Sequence, residues 1–464
     1  MTRVLVLGMA PLPFENQPHV FGPSLRTWQF VQPLLDDGHK VCLCSCRIYG
    51  AYDEKEASLP ITTIEKGALV YHHMDQATFE RQDTIQGIHD CFSPDCIIGA
   101  TVYPSSRAVR LQTSKPIWID VYGDLMSEAQ AKAYVFDNDH YLFHFWSMNK
   151  PILENGDVYS SVSNRQKYAL MGQLATVGRL NKHSMGYDFV HVIPCGIEKR
   201  KFRHERRVLR GIHVDDDDFA ILWNGGFNTW TDVDTLFRAL EMAMRKNHHI
   251  KFVCAGAEIP GHDEITYKSF TRLVENSKLR GNFILLGWVH PSDIHNYYFE
   301  ADVGINVDRP CYEAVLGSRN RILGWLQAGL PVLTTDLTEL SQALKDRRIA
   351  ATCRPQSPKE LTRLILQLAG HPSLLRKSRE ARKRFVFQNF TFEKTTAPLR
   401  EWVRNPSISP DRGMRIPLDQ PTPPPQPPPG LWDSFRALVK AEGPGVACSR
   451  SIRWLLRKMS MQAQ

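Results

Sequence analysis

Short apolar runs bounded by turn residues alternate along the chain with amphipathic stretches of helical period. Val4-Leu5-Val6-Leu7-Gly8 reads as a buried strand, and Trp28, Val31 and Leu35 then recur at helical spacing until Gly38 and His39 end the helix. Residues 41–45, 95–99 and 116–122 supply further strands, with helical or irregular segments between them, and Asp157-Val158-Tyr159 and His191-Val192-Ile193-Pro194 end the series. The pattern then restarts with a strand at 219–223, a helix at 232–245 carrying Val233, Leu236, Phe237, Leu240 and Met244 on one face, and a strand at 250–255. Strands at 282–286, 303–307 and 332–335 follow, with helices near 292–300 and 319–328 between them, then helical segments at 358–368 and 373–387. Strands alternating with helices imply parallel neighbours joined by crossovers. The expected fold is α/β: two Rossmann-like, doubly wound parallel-sheet domains, 1–197 and 198–390, facing each other across a cleft, with 391–404 crossing back onto the first.

A chain of 464 residues exceeds what one core organises, in keeping with two domains plus appendages. No stretch approaches the roughly 18 apolar residues a spanning helix needs, and the first strand follows Arg3 almost at once, so a soluble cytoplasmic body is expected. Cys42, Cys44 and Cys46, spaced by two on a strand, read as core and not as a metal site, and no second cluster of zinc-like spacing accompanies them. The basic run from Lys199 to Arg210 reads as a solvated interdomain segment, with an anionic contact as the alternative. Beyond Asn405 the composition changes. Residues 405–430, with the prolines from Pro421 to Pro429, are expected to be an extended linker. Residues 431–464 set Trp432, Phe435, Ile452 and Trp454 among arginines and lysines, a pattern open to an anionic membrane surface, to a helix docking on the protein, or to disorder.

Ligands of doubly wound sheets bind at the carboxyl ends of the strands, and four loops there carry chemistry. After the first strand, Gly22 and Arg26 open a helix whose amides suit phosphate or hydroxyl groups, with Ser24 as an N-cap explaining the loop nearly as well. Asp120, Tyr122 and Asp124 leave another strand and can hold sugar hydroxyls or take a proton from an alcohol; an ordinary polar turn is the alternative. Gly225 and Gly226 expose backbone amides at the strand-to-helix junction of the second unit, where Thr231 and Asp234 form a capping box that leaves Asp232 a helix-dipole partner or a site residue. Arg319 and Arg321 sit at a helix start against its dipole, which destabilises unless an anion lies between them; guanidinium forks suit a diphosphate.

These motifs resemble a retaining glycosyltransferase of the large bacterial GT-B group, family 4-like, whose second domain carries a Glu-x7-Glu helix. The similarity runs along residues 1–400 and rests on the Gly-Pro-x-x-Arg loop, "PIWIDVYGD", "LENGDVYSSVSNRQK", "VIPCGI", "WNGGFNTWTDVDTLFRALE", "LLGWV", "ADVGINVD" and above all "SRNRILGWLQAGLPVLTT". It implies transfer from a nucleoside diphosphate sugar to a glycan or lipid-linked acceptor in cell-surface polysaccharide synthesis, with no nucleic acid partner, no cofactor and no metal. It further implies that Gly287, Trp288 and Val289 face the base. Two departures stand out. Gly324 replaces the ribose-binding glutamate, and "GGFNTW" stands where a phosphate-binding Arg and Lys are usual, so that Arg319 and Arg321 are expected to take over the phosphates. Glu313 is the nearest remaining carboxylate for the donor sugar. A sugar-nucleotide epimerase and a catalytically silent GT-B subunit are the alternatives.

Overall fold

The computed structural model describes residues 1–371, 378–418 and 430–461. Residues 1–416 form one compact unit and residues 417–464 a second.

The first unit holds two sheets. One contains β1 (Arg3–Ala10), β2 (Lys40–Arg47), β3 (Ile61–Lys66), β4 (Leu69–Met74), β5 (Cys96–Gly99), β6 (Ile117–Val121), β7 (Val158–Ser161) and β8 (Val190–Val192), in the order β3-β4-β2-β1-β5-β6-β7-β8. All pairings are parallel except the β3–β4 hairpin, which lies where the sequence reading leaves helical or irregular chain. The other contains β9 (Phe219–Asn224), β10 (Ile250–Ala255), β11 (Phe283–Leu285), β12 (Val303–Asn306), β13 (Val332–Thr335) and β14 (Ala351–Cys353), in the order β11-β10-β9-β12-β13-β14, all parallel. Strand order reverses between β1 and β5 and between β9 and β12, and such switch points open crevices at the strands' carboxyl ends.

Each sheet is apolar on both faces because helices cover both. Cys42, Cys44 and Cys46 sit together in the core beneath the first sheet. The Ala397–Arg404 helix lies on the first domain: Leu399 and Val403 join its core, and the Thr2 hydroxyl donates to the Val403 carbonyl. The basic run is tied down by acids of the second domain, through Arg206–Asp293, Arg210–Asp302 and His204–Glu300.

Two expectations are corrected here. The expected linker at 405–430 does not begin at 405, because residues 405–416 pack on the first domain. There Asp411, fully buried, pairs with Arg179 at 2.5 Å, and Arg412 pairs with Asp157. The prolines from Pro421 to Pro429 lie outside the described residues, as does the start of the helix expected at 373–387, whose described part is Arg379–Asn389. The helix after β9 is capped not by Thr231 but by Asp232, which accepts from the Thr235 amide at 3.0 Å.

The second unit consists of two helices, Leu431–Glu442 and Pro444–Met461, turning at Gly443 with φ of +84°. Ala447 is buried there, whereas Trp432, Ile452 and Trp454 are exposed. No described helix is long and apolar enough to cross a membrane.

Candidate functional site

The second domain's switch point gathers the most heavily charged residues of the sequence motifs. β9 delivers the turn Asn224-Gly225-Gly226. Gly225 holds φ of +81°, and Gly256 packs so closely that a Cβ there would fall 2.1 Å from the Gly225 oxygen. The turn therefore needs glycine at both strand ends. The Gly225 amide is not free, since it donates to the Ala255 carbonyl. A Cβ on Gly226 would meet Ile259 at 2.3 Å and the Trp288 ring at 3.5 Å, so Trp288 flanks this turn. The Trp288 indole donates to the Glu258 carbonyl and packs edge-on against Phe21 of the first domain, with centroids 5.4 Å apart. Gly287 supplies the preceding turn at φ of +70°, and Val289 packs into the core.

Arg321 reaches the same turn. It lies in the first turn of the Asn320–Ala328 helix, its Nη2 donates to the Gly226 carbonyl at 2.7 Å, and its guanidinium stacks over Trp223 at 3.9 Å. Its Nη1 is buried with no hydrogen-bond partner, and no carboxylate is paired with it among the described ion pairs. Burial pushes its pKa down to about 10. A buried cation with an orphan donor is costly unless something negative arrives.

The structure divides the expected arginine pair. The Arg319 guanidinium does not reach the Gly226 turn. Its Nε donates to both oxygens of Asp308 at 3.0 Å, while Nη1 and Nη2 donate to the two oxygens of Glu313 at 3.2 and 2.8 Å. Two buried carboxylates thus neutralise it, which removes the electrostatic reason for assigning it to the phosphates. Glu313, expected beside the donor sugar, is this arginine's partner. Burial pushes its carboxyl up to about 7, against the pull of Arg319. Between the unfolded value near 4.5 and about 7, the folded chain keeps a proton that the unfolded chain has released, so stability falls as pH rises across that window. Glu313→Gln should lose this component: melts at about pH 5 and about pH 8 should differ less than in the wild type. Equal differences would place the titration elsewhere.

In the first domain the structure corrects Asp120 and Arg26. Both are fully buried and face each other, Arg26 Nε and Nη2 donating to the two Asp120 oxygens at 2.9 and 2.7 Å. Asp120 also accepts from the Ser160 hydroxyl at 2.7 Å. With its oxygens so occupied, Asp120 holds the Gly22–Asp36 helix to β6. Asp124 caps the Leu125–Phe136 helix, accepting from the Ser127 amide, and its other oxygen accepts from Gln173. Both Asp120 and Asp124, expected to be catalytic, thus have structural partners for their oxygens. Ser24 is not the N-cap; Phe21 takes that position and Pro23 opens the helix.

Gly22 and Tyr122, expected as cleft-loop residues, do meet the second domain. The Asn320 amide donates to the Tyr122 hydroxyl at 2.5 Å, and a Cβ on Gly22 would lie 2.9 Å from that hydroxyl. Asn320, overlooked within "SRNR" in favour of its arginine neighbours, thus joins the two domains beside Arg321. Thr101, also missed, holds φ of +72° at the end of β5, a conformation rarely taken by a side-chain-bearing residue. Its amide points at Asp120 from 3.4 Å. Gly324, where the resemblance leads one to look for a glutamate, is tightly packed: a Cβ would come 3.1 Å from the Tyr298 hydroxyl.

Residues 218–371 match the family model described as glycosyl transferases group 1. No curated protein matches the sequence significantly. Among solved structures, the chain is similar to a sucrose-phosphate synthase from Thermosynechococcus elongatus, with 15% identity, a TM-score of 0.67, and coverage of 87% of this chain and 98% of that one. It is similar to an E. coli trehalose-6-phosphate structure bound with UDP-2-fluoro glucose, with 12% identity, a TM-score of 0.66, and coverage of 88% and 100%. An Anabaena HepE structure in complex with UDP-glucose shows 12% identity, a TM-score of 0.63, and coverage of 87% and 100%. At such identities the structural likeness speaks for the fold. The chain has the GT-B fold, and the family match falls within its second domain.

Proposed function

We propose that the protein transfers a sugar from a nucleoside diphosphate sugar to a hydroxyl of a glycan or lipid-linked acceptor, in the synthesis of a cell-surface polysaccharide or glycoconjugate, with retention of configuration and without a metal or cofactor. The observation that carries this reading is Arg321: a half-buried arginine whose buried Nη1 has no partner, beside the Gly226 turn and Trp288 at the second sheet's switch point. The diphosphate is the anion that this donor lacks, and Arg321 then stabilises the charge left on the departing nucleotide. Trp288 and Gly287 lie at the side of the turn where the base would sit. Neighbours solved with UDP-sugars and the group 1 match support the reading. A thermal-shift panel of nucleoside diphosphates and their sugars tests it. One base should raise the melting temperature of the wild type by mass action and leave Arg321→Met unmoved. No shift with any nucleotide would favour a silent GT-B subunit.

The finer proposal for the second unit is attachment to the cytoplasmic face of an anionic membrane, because exposed Trp432, Ile452 and Trp454 alternate with Arg450 and Arg453. Full-length protein should co-sediment with phosphatidylglycerol vesicles, and a 1–416 chain, cut so as to spare the buried Arg179–Asp411 pair, should not. Equal pelleting of the two would remove the proposal.

A further inference from the structure

Between the two domains lies an open cavity of about 400 Å³. Phe136, Asn138, His140 and Tyr141 supply one wall, from the end of the Leu125–Phe136 helix and the start of the His140–Asn155 helix. His262 and Glu264, from the second domain, supply the other. The two walls are pinned together by Lys132, whose Nζ donates to the His262 carbonyl at 2.7 Å. His140 and Tyr141 stack with ring centroids 4.7 Å apart. From His140 the aromatic surface continues outward in steps of three, to Phe143 and Trp146. These are 73% and 46% exposed, with rings 5.9 Å apart. Residues three apart share a helix face, so the rings form one stripe leading out of the cavity.

Exposed aromatics in a row are unusual on a soluble surface and mark a binding face. The chemistry around them selects the occupant. The first helix and the turn after it carry Glu128, Asp137 and Asp139 against Lys132, and Glu264 adds an acid from the facing wall, which disfavours nucleotide phosphates and anionic lipid headgroups alike. Burial and the nearby Lys132 charge push the His262 imidazole down to about 3, leaving it neutral near pH 7 and able to give or accept a hydrogen bond. Flat aromatic faces combined with neutral and acidic hydrogen-bonding groups suit an uncharged ring that is apolar on its faces and hydroxylated at its edge.

We infer that this cavity and the Phe143–Trp146 stripe are the track on which the protein holds a neutral oligosaccharide acceptor, its successive rings stacking from the cavity outward. The inference rests on the glycosyl-transfer reading and deepens it. The cavity lies about one helix length, ~18 Å, from the helix start beside Tyr122, so it receives rings beyond those that reach Tyr122. Because both domains wall it, a bound chain would contact both.

Titrating full-length protein with cello-, malto- and manno-oligosaccharides of two to six rings, followed by saturation-transfer NMR, tests the track. One series should bind, more tightly with length. Phe143→Ala with Trp146→Ala, at exposed positions that leave folding intact, should weaken the longest member about three- to tenfold and the shortest far less. Tyr141→Ala should weaken every member. Nucleotide-induced thermal shifts should be unchanged in all these variants, which separates the track from the donor site. Unaltered oligosaccharide binding in the variants, or nucleotide shifts in a wild type that binds none of the series, would overturn the inference and leave the donor reading standing. Loss of vesicle binding in the Phe143/Trp146 variant, with sugar binding retained, would overturn it in favour of a membrane face.

Discussion

Arg321→Met should all but abolish sugar transfer while raising the melting temperature of the unliganded protein. The two effects have one origin. The residue is half-buried, its buried Nη1 has no partner, and desolvation already pushes its pKa down to about 10, so the folded state bears a charge it satisfies only in part. Methionine keeps an unbranched apolar stem and removes that charge, relieving the folded state when no ligand is present. The same substitution deletes the donor that would meet the leaving diphosphate, for which a loss of about 10²–10³ in kcat is typical. Steady-state transfer assays and calorimetric melts measure both. A variant that loses stability along with activity would show Arg321 to be an ordinary structural cation.

The second large effect is expected at the Arg26–Asp120 pair. Removing one partner of a fully buried, bidentate ion pair leaves the other charge uncompensated, at about 3–5 kcal/mol. Arg26→Met should therefore lose about that much in denaturant titration. Arg26→Met with Asp120→Leu should recover most of it, since an apolar replacement of both partners is often tolerated. Asp120→Asn distinguishes the two roles open to this carboxylate. As a clasp between the first helix and β6 it should cost stability; as a base it would cost kcat with the melting temperature intact.

The parallel strands were legible because they are buried on both faces and read as continuous apolar runs, as in Val4 to Leu7 and Phe219 to Trp223. The β3–β4 hairpin was not. β3 is a largely exposed edge strand, and β4 contains His72 and His73, the latter polar in sequence yet buried against Arg47. At the site, Gly225 and Arg321 could be read locally, one from a strand-to-helix junction and one from a cation placed against a helix dipole. The fate of Arg319 could not, because its partners Asp308 and Glu313 lie 11 and 6 residues back, one in a loop and the other in the short Tyr312–Leu316 helix. The segment around Asp411 has the composition of a linker, and contacts far back along the chain, such as that of Asp411 with Arg179, 232 residues away, make it part of the body.

The return of the chain end to the first domain has a consequence for synthesis. Leu399 and Val403 complete that domain's core, and Thr2 and Asp37 hold the same helix through the Val403 carbonyl and Arg400. On the ribosome, the N-terminal domain therefore emerges first but waits with an open flank until more than 400 residues have been made. The other domain, drawn from one uninterrupted stretch, can close as it appears, so that the last domain begun is the first one finished.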